Sequence, residues 1–255
     1  MDLHLRDKVI VITGGSDGLG AALARDLVGQ GARVAICGRS PERIERARSM
    51  IDDDTRLLAM SADVTDAEQM AAFVAAVTAR WQQIDGLVNN AGVAAAGRVA
   101  DVTDEAWLGD FDLKVVAAAR LIRLCLPHMH GGSIVNVLSV GARIAPASSM
   151  PTNASRAAGL ALTKAASKEL GAVGIRVNAI LIGLIKSNQW ERRAEQSARP
   201  VQEIYEELAQ RSAIPLGRVG EPQEFADLAS YLLSDRSSYV TGSALNLDGG
   251  SSAAI

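Results

Sequence analysis

Short aliphatic runs alternate with longer amphipathic stretches along most of the chain. Residues 9–12, Val-Ile-Val-Ile, are consecutive β-branched positions that predict a strand ending at a glycine-rich turn, and over residues 21–30 apolar positions recur at helical spacing. Residues 33–37 read as a second strand. Pro41, at a first helical position, opens a helix over 42–51, and 57–61 follow as a third strand. An Ala-rich helix over 66–81, capped by Thr65 or Asp66, leads to a fourth strand at 86–89. Strand and helix alternating at this spacing imply parallel pairing with right-handed crossovers.

The second half keeps the rhythm with neither linker nor repeat. A long helix is predicted over 104–130, with Trp107, Phe111, Val115 and Leu121 among its apolar positions, then a strand at 133–139 and a helix over 150–172. Residues 176–182 form a near-continuous apolar run, as a strand buried on both faces requires. A charged segment, 186–218, reads as one or two helices outside the sheet, before a helix at 221–233 and a last strand at 244–247. The expectation is an α/β protein, a doubly wound seven-stranded parallel sheet with helices on both faces, using residues 1–255 as one domain.

Composition supports this class and removes others. The 255 residues include 43 alanines and 23 glycines but only 4% aromatics, which favours close helix-on-sheet packing over an aromatic-rich sandwich core. A net charge of −3 without a basic cluster argues against nucleic-acid binding. Uncharged stretches such as 86–97 and 131–142 are too short to span a bilayer, and the charged start at residues 1–7 is unlike a signal peptide, so no membrane partner and a cytoplasmic protein are expected. Cys37 and Cys125 have no metal or redox spacing and read as buried small hydrophobes. His128 and His130 sit at a predicted helix C-terminus without a third ligand, so no metal is expected.

The turn after the first strand carries the first sign of chemistry. Thr13-Gly14-Gly15-Ser16-Asp17-Gly18-Leu19-Gly20 lies between strand and helix, where glycines let the backbone approach a pyrophosphate and the helix N-terminus favours its charge. No lysine follows Gly20, so this is not a nucleoside-triphosphate loop. The turn resembles that of the short-chain dehydrogenase/reductase family. Asp63-Val64 after the third strand looks like the family's adenine contact, Asn89-Asn90-Ala91-Gly92 matches its motif after the fourth, and Tyr239-Val240-Thr241-Gly242 through Asp248-Gly249-Gly250 is similar to its C-terminal signature. The resemblance covers essentially the whole chain. It implies a Rossmann-type dinucleotide fold, a small-molecule carbonyl or alcohol substrate, a substrate lid at about 186–218, and a homotetramer formed through the two long helices and the C-terminal strand. Cofactor contacts are implied for Gly14, Ser16, Gly18, Leu19, Gly20, Asp63, Val64, Asn90, Ala91, Gly92, Gly183, Ile185 and Ser187, the last aligning with a threonine that meets the carboxamide.

Cofactor choice turns on the end of the second strand, where an NAD enzyme usually places a carboxylate for the adenosine ribose. Here Gly38 stands there and Arg39 follows, which suits a 2′-phosphate and predicts NADP(H) over NAD(H). Asp17 runs against this, because NADP-using members often carry a basic residue at that place.

The family's catalytic set is Asn, Ser, Tyr and Lys. Ser139 matches the serine, but Thr152-Asn153-Ala154-Ser155-Arg156-Ala157-Ala158 aligns without gaps to Tyr-x-Ala-Ser-Lys-Ala-Ala, putting Thr152 for tyrosine and Arg156 for lysine. In Phe111-Asp112-Leu113-Lys114 the alignment sets Asp112 at the asparagine, and an Asp112–Arg156 ion pair is the expected replacement for the proton relay. An aliphatic hydroxyl is too weak an acid to replace tyrosine unaided, and an arginine stays protonated. Arg156 would still hold a ribose, and Thr152 with Arg156 would polarise a carbonyl. Tyr205 and Lys186, in the charged segment, are candidate substitute acids. The leading expectation is therefore an NADP(H)-dependent oxidoreductase with altered proton-transfer residues. The alternatives are a dinucleotide-binding or regulatory protein without turnover, and a lyase or isomerase using Ser139, Asp112 and Arg156.

Overall fold

The computed structural model describes residues 2–187, 194 and 199–254. Its nine strands and eight α-helices are β1 (Val9–Thr13), α1 (Gly18–Gly29), β2 (Arg33–Gly38), α2 (Pro41–Ile51), β3 (Leu57–Ser61), α3 (Ala67–Trp81), β4 (Gly86–Asn89), β5 (Ala96–Gly97), α4 (Asp104–Phe111), α5 (Ala117–Cys125), β6 (Gly132–Ser139), β7 (Met150–Pro151), α6 (Thr152–Leu170), β8 (Ile175–Ile182), α7 (Val201–Arg211), α8 (Pro222–Leu233) and β9 (Ala244–Leu247) among the described residues. Seven of the strands form one parallel sheet in the order β3-β2-β1-β4-β6-β8-β9, so the chain reverses direction across the sheet between β1 and β4.

The aliphatic runs follow from burial on both sides. Along β1, Ile10 and Ile12 pack with Leu23, Leu27, Phe225 and Leu232 of α1 and α8, while Val9 and Val11 pack with Met70, Phe73, Val77 and Leu121 of α3 and α5. A half-exposed strand would alternate with polar residues; this one has no water-facing side. Cys37 and Cys125 are free, buried thiols, and desolvation pushes each up to about 12.

Caps end and begin the helices where the sequence marks them. Ser40 accepts from Arg43 N ahead of Pro41 at the start of α2, and Asp66 accepts from Glu68 N and Gln69 N at the start of α3. Two departures from the predicted elements matter for the site. The helix expected over 104–130 is broken by a π-helical segment, Asp112–Val116, between α4 and α5. The helix expected over 150–172 begins two residues late, because Met150–Pro151 pairs antiparallel with Ala96–Gly97 as a small second sheet. Of the charged segment 186–218, α7 is described, whereas residues 188–193 and 195–198 lie outside the described residues.

Candidate active site

A cleft of about 510 Å³ opens where β1 and β4 part, at the C-terminal ends of the parallel strands. Ligands of open α/β sheets bind at this reversal, because the loops on its two sides diverge. Gly14, Ser16, Gly18 and Leu19 line one end, with Arg39, Asp63 and Val64 beside them. Asn90, Ala91 and Gly92 form the middle, and Gly183, Ile185 and Ser187 the wall after β8. Ser139, Thr152 and Arg156 lie in the same cleft.

The glycine turn is held from below by the loop after β4. Asn90 Nδ2 donates to Thr13 O (2.9 Å) and Gly14 O (3.1 Å), while Thr13 Oγ1 accepts from the backbone N–H groups of Asn90 and Ala91, both at 3.0 Å. Gly14 needs its positive φ of 63°, and a Cβ on Gly20 would stand 2.3 Å from Gly14 O, so Gly20 packs the turn rather than lining the cleft. Asp17 caps α1 by accepting from Gly18 N (2.9 Å) and lies 3.4 Å from Arg43 Nη1. Arg43 was not singled out by the sequence because it falls in the polar pattern of α2, yet it lines the cleft with Arg39. A Cβ on Gly38 would sit 2.5 Å from Ser16 Oγ, so the ribose end accepts no side chain there. Asp63 is occupied in its own turn, accepting from Thr65 N (2.9 Å) and Thr65 Oγ1 (2.8 Å).

At the other end, the structure assembles a polar cluster that the sequence reading missed. Lys114, in the π-helical segment, is sealed with its side chain 1% exposed and forms an ion pair with Asp110, itself 3% exposed. Lys114 Nζ also donates to Thr152 Oγ1 at 2.7 Å. The other carboxylate oxygen of Asp110 accepts from Ser155 Oγ at 2.5 Å, one helical turn beyond Thr152. The β5–β7 pair brings Ala95 N within 2.8 Å of Thr152 Oγ1. Arg156 donates to Val137 O and keeps a buried Nε without a partner, and a Cβ on Gly92 would be 2.9 Å from its Nη2. Burial pushes Arg156 down to about 10, against the opposing pull of Asp110, and desolvation also lowers Lys114, with Arg156 acting in the same direction.

Asp112 is placed elsewhere. Its half-exposed carboxylate lies 3.7 Å from Arg120 Nη2, and among the described residues Arg156 has no ion pair, so the expected Asp112–Arg156 pair does not form. A π turn holds one more residue than an α turn, and within it Lys114 is the residue turned into the protein. The carboxylate that does act on Arg156 is Asp110. Tyr205 packs in a small cluster with Ala209, Ile214 and Val219; Lys186 pairs with Glu221 at 2.5 Å and lies 5.5 Å from the Tyr205 ring centre. Neither is among the described residues lining the cleft.

Comparison with known proteins bears on this geometry. A family model described as enoyl-(acyl carrier protein) reductase matches residues 14–252. An uncharacterized oxidoreductase of Mycobacterium bovis is 36% identical over 254 residues, covering 96% of this chain and 97% of its own. The NADPH-bound structure of a Pseudomonas aeruginosa short-chain oxidoreductase containing an atypical catalytic center is 37% identical with a TM-score of 0.91, covering 97% of this chain and 98% of its own. L-sorbose reductase of Gluconobacter frateurii, solved with NADPH and L-sorbose, is 30% identical with a TM-score of 0.94 over 100% of both chains. With a sheet order that places a glycine turn and a polar cluster at opposite ends of one cleft, and with a family model and relatives matching along nearly its whole length, the chain belongs to the short-chain dehydrogenase/reductase family of oxidoreductases.

Proposed function

We propose that this chain is an NADP(H)-dependent reductase of small carbonyl compounds, in which Thr152, Arg156 and Asp112 stand where the family has tyrosine, lysine and asparagine. The observation that carries the reading is the shared cleft: the glycine turn and the Ser139–Thr152 hydroxyl pair line one continuous volume. The turn fits a dinucleotide, since Gly18 lines the cleft with open space where a Cβ would stand and the α1 N-terminus faces the same space.

Phosphate selection follows from charge. No carboxylate stands at Gly38, Arg39 and Arg43 both line the adenosine end, and Asp17, the residue that runs against NADP(H), is offset by Arg43. Gly14, Ser16, Gly18 and Leu19 would hold the diphosphate, Asp63 and Val64 the adenine, and Asn90, Ala91, Gly92 and Arg156 the nicotinamide ribose. Gly183, Ile185 and Ser187 would meet the carboxamide. A reduced nicotinamide bound this way supplies a hydride to a carbonyl carbon. Ser139 and Thr152 then donate hydrogen bonds to the oxygen on which negative charge develops, with the Arg156 guanidinium nearby. The whole chain serves as one dinucleotide-binding unit with the segment 186–218 as its substrate lid, and the family resemblance supports a homo-oligomer.

Fluorescence titration with both reduced cofactors tests the phosphate reading. NADPH is expected to bind at least about tenfold tighter than NADH, a gap of about 1.4 kcal/mol. An R39A/R43A variant is expected to close that gap; equal or tighter NADH binding by the wild type would overturn it. Cofactor oxidation over a panel of ketones and aldehydes tests the reductase reading itself.

A further inference from the structure

A reductase needs a proton for each hydride, and a threonine hydroxyl in water is far too weak an acid to give one. The surroundings of Thr152 change that. Its Oγ1 accepts two hydrogen bonds, from Lys114 Nζ at 2.7 Å and from Ala95 N at 2.8 Å. A hydroxyl has two acceptor positions and one proton, so with both acceptors filled the proton is left for the cleft that Thr152 lines. Behind it, Lys114 is sealed at 1% exposure and is not among the described residues lining the cleft. Thr152 Oγ1 is thus its contact towards that space.

We propose that Lys114 is the proton reservoir of this site and that Thr152 Oγ1 is the catalytic residue through which its proton reaches the substrate oxygen. The inference rests on the reductase reading and deepens it. As hydride from the reduced nicotinamide forms a C–H bond at the carbonyl carbon, the carbonyl π pair moves to oxygen. That oxygen takes the Thr152 proton, and Thr152 Oγ1 takes one from Lys114 Nζ. The carbonyl becomes an alcohol, the dinucleotide is oxidised, and Lys114 is left as a neutral amine. Once product leaves, water in the cleft returns the proton through the same hydroxyl.

The charged groups facing Lys114 suit this cycle. Burial, the largest effect, makes Lys114 readier to give up a proton than an ordinary lysine; Asp110 on α4 fixes the ammonium in place and supports its charge, while Arg156 on α6 acts with burial against it. Ser155, donating to the far oxygen of Asp110, keeps that carboxylate aimed at Lys114. Arg156 sits at the family's lysine position but stays protonated at neutral pH even with its proton affinity lowered to about 10, so it cannot be the donor.

The test combines kinetics with a measurement that needs no turnover. General acid catalysis contributes about 10²- to 10⁴-fold, so T152A is expected to lose at least 100-fold in kcat with unchanged NADPH affinity, and T152S to stay within about tenfold of wild type. The kcat of wild type should fall as pH rises through the Lys114 midpoint. That midpoint is read independently: the chain has five lysines, so a ¹³Cε-lysine NMR titration gives five assignable signals. Lys114, identified by its loss in a D110N/K114M variant that removes both charges together, is expected to titrate below the other four. T152A within tenfold of wild type, or a Lys114 midpoint at or above that of the exposed lysines, overturns the relay. A wild type that binds NADPH but reduces no carbonyl in the panel overturns the reductase reading and the relay with it; turnover that survives T152A overturns the relay alone.

Discussion

Replacing Lys114 by methionine isolates what the buried pair contributes. Methionine nearly matches the lysine stem in length, so little packing is lost, but the Asp110 carboxylate remains 3% exposed with Ser155 as its close partner. Breaking a buried pair from one side costs about 3–5 kcal/mol. A stranded carboxylate has a way out, which is to take up a proton. For an aspartate with an unfolded value near 3.9, that costs about 1.36 kcal/mol per pH unit above it, or about 4 kcal/mol at pH 7 and about 1.5 kcal/mol at pH 5. These are ceilings, and the Arg156 guanidinium, which feels the Asp110 charge, brings the loss below them. The expected loss for K114M is therefore about 2–4 kcal/mol at pH 7 and no more than about 1.5 kcal/mol at pH 5. D110N/K114M, which removes both members of the pair and leaves Arg156 as the remaining charge of the cluster, should recover most of it at both. Urea unfolding followed by tryptophan fluorescence, at one protein concentration because any association adds to apparent stability, measures each difference. An equal loss at pH 5 and pH 7 would refute the reasoning, since a packing defect has no such dependence.

Two further outcomes follow from other parts of the molecule. Gly20→Ala, a change that usually favours a helix, should here destabilise by about 1–3 kcal/mol and weaken NADPH binding at least tenfold in a fluorescence titration, because the added Cβ would meet Gly14 O at 2.3 Å. Glu224 is held down at about 2, first by its hydrogen bond from Arg218 and then by Glu221 N, so its contribution is present above about 4.5 and lost as pH falls towards 2. E224Q should flatten that part of the acid-unfolding profile by under about 1 kcal/mol, the side chain being 39% exposed and screened by solvent.

The parallel sheet was legible because burial on both faces leaves no choice of residue. Strands such as 9–13 and 175–182 are aliphatic at nearly every position, with Thr13, Arg176 and Asn178 the exceptions, and the glycines that follow them, Gly14 and Gly183, mark where the loops diverge. The glycine turn was legible for the same kind of reason, since close backbone approach excludes every other side chain at Gly14 and Gly20. Lys114 was not. Asp110 and Lys114 stand four apart, the spacing of an ordinary surface ion pair, and sequence carries no sign that both are buried. The π-helical segment adds to this: counting at α-helical spacing gave no cue that Lys114 is the residue turned inwards. Nor does any local pattern predict a two-residue strand, although β7 is what delivers Thr152 to Ala95.

Stability alone does not account for the cluster beneath Thr152. Buried pairs replaced by well-packed apolar residues are often neutral or more stable, so a fold under no other demand has little reason to keep Asp110, Lys114 and Arg156 in its interior. Here two cations share one carboxylate, and Arg156 lowers the proton affinity of Lys114 instead of supporting its charge. The excess of one positive charge lies at the edge of a cleft that Arg156 itself lines and whose wall carries the Ser139 and Thr152 hydroxyls. Such an excess is unfavourable in the resting protein and becomes favourable when negative charge develops on a substrate oxygen above it. An ammonium can discharge that excess by releasing a proton, whereas a guanidinium cannot, so the division of roles between Lys114 and Arg156 follows from their chemistry. Tyrosine combines hydrogen-bond donor and proton source in one side chain. In this chain the two functions are separated, with the donor on Thr152 at the cleft surface and the source on Lys114 behind it.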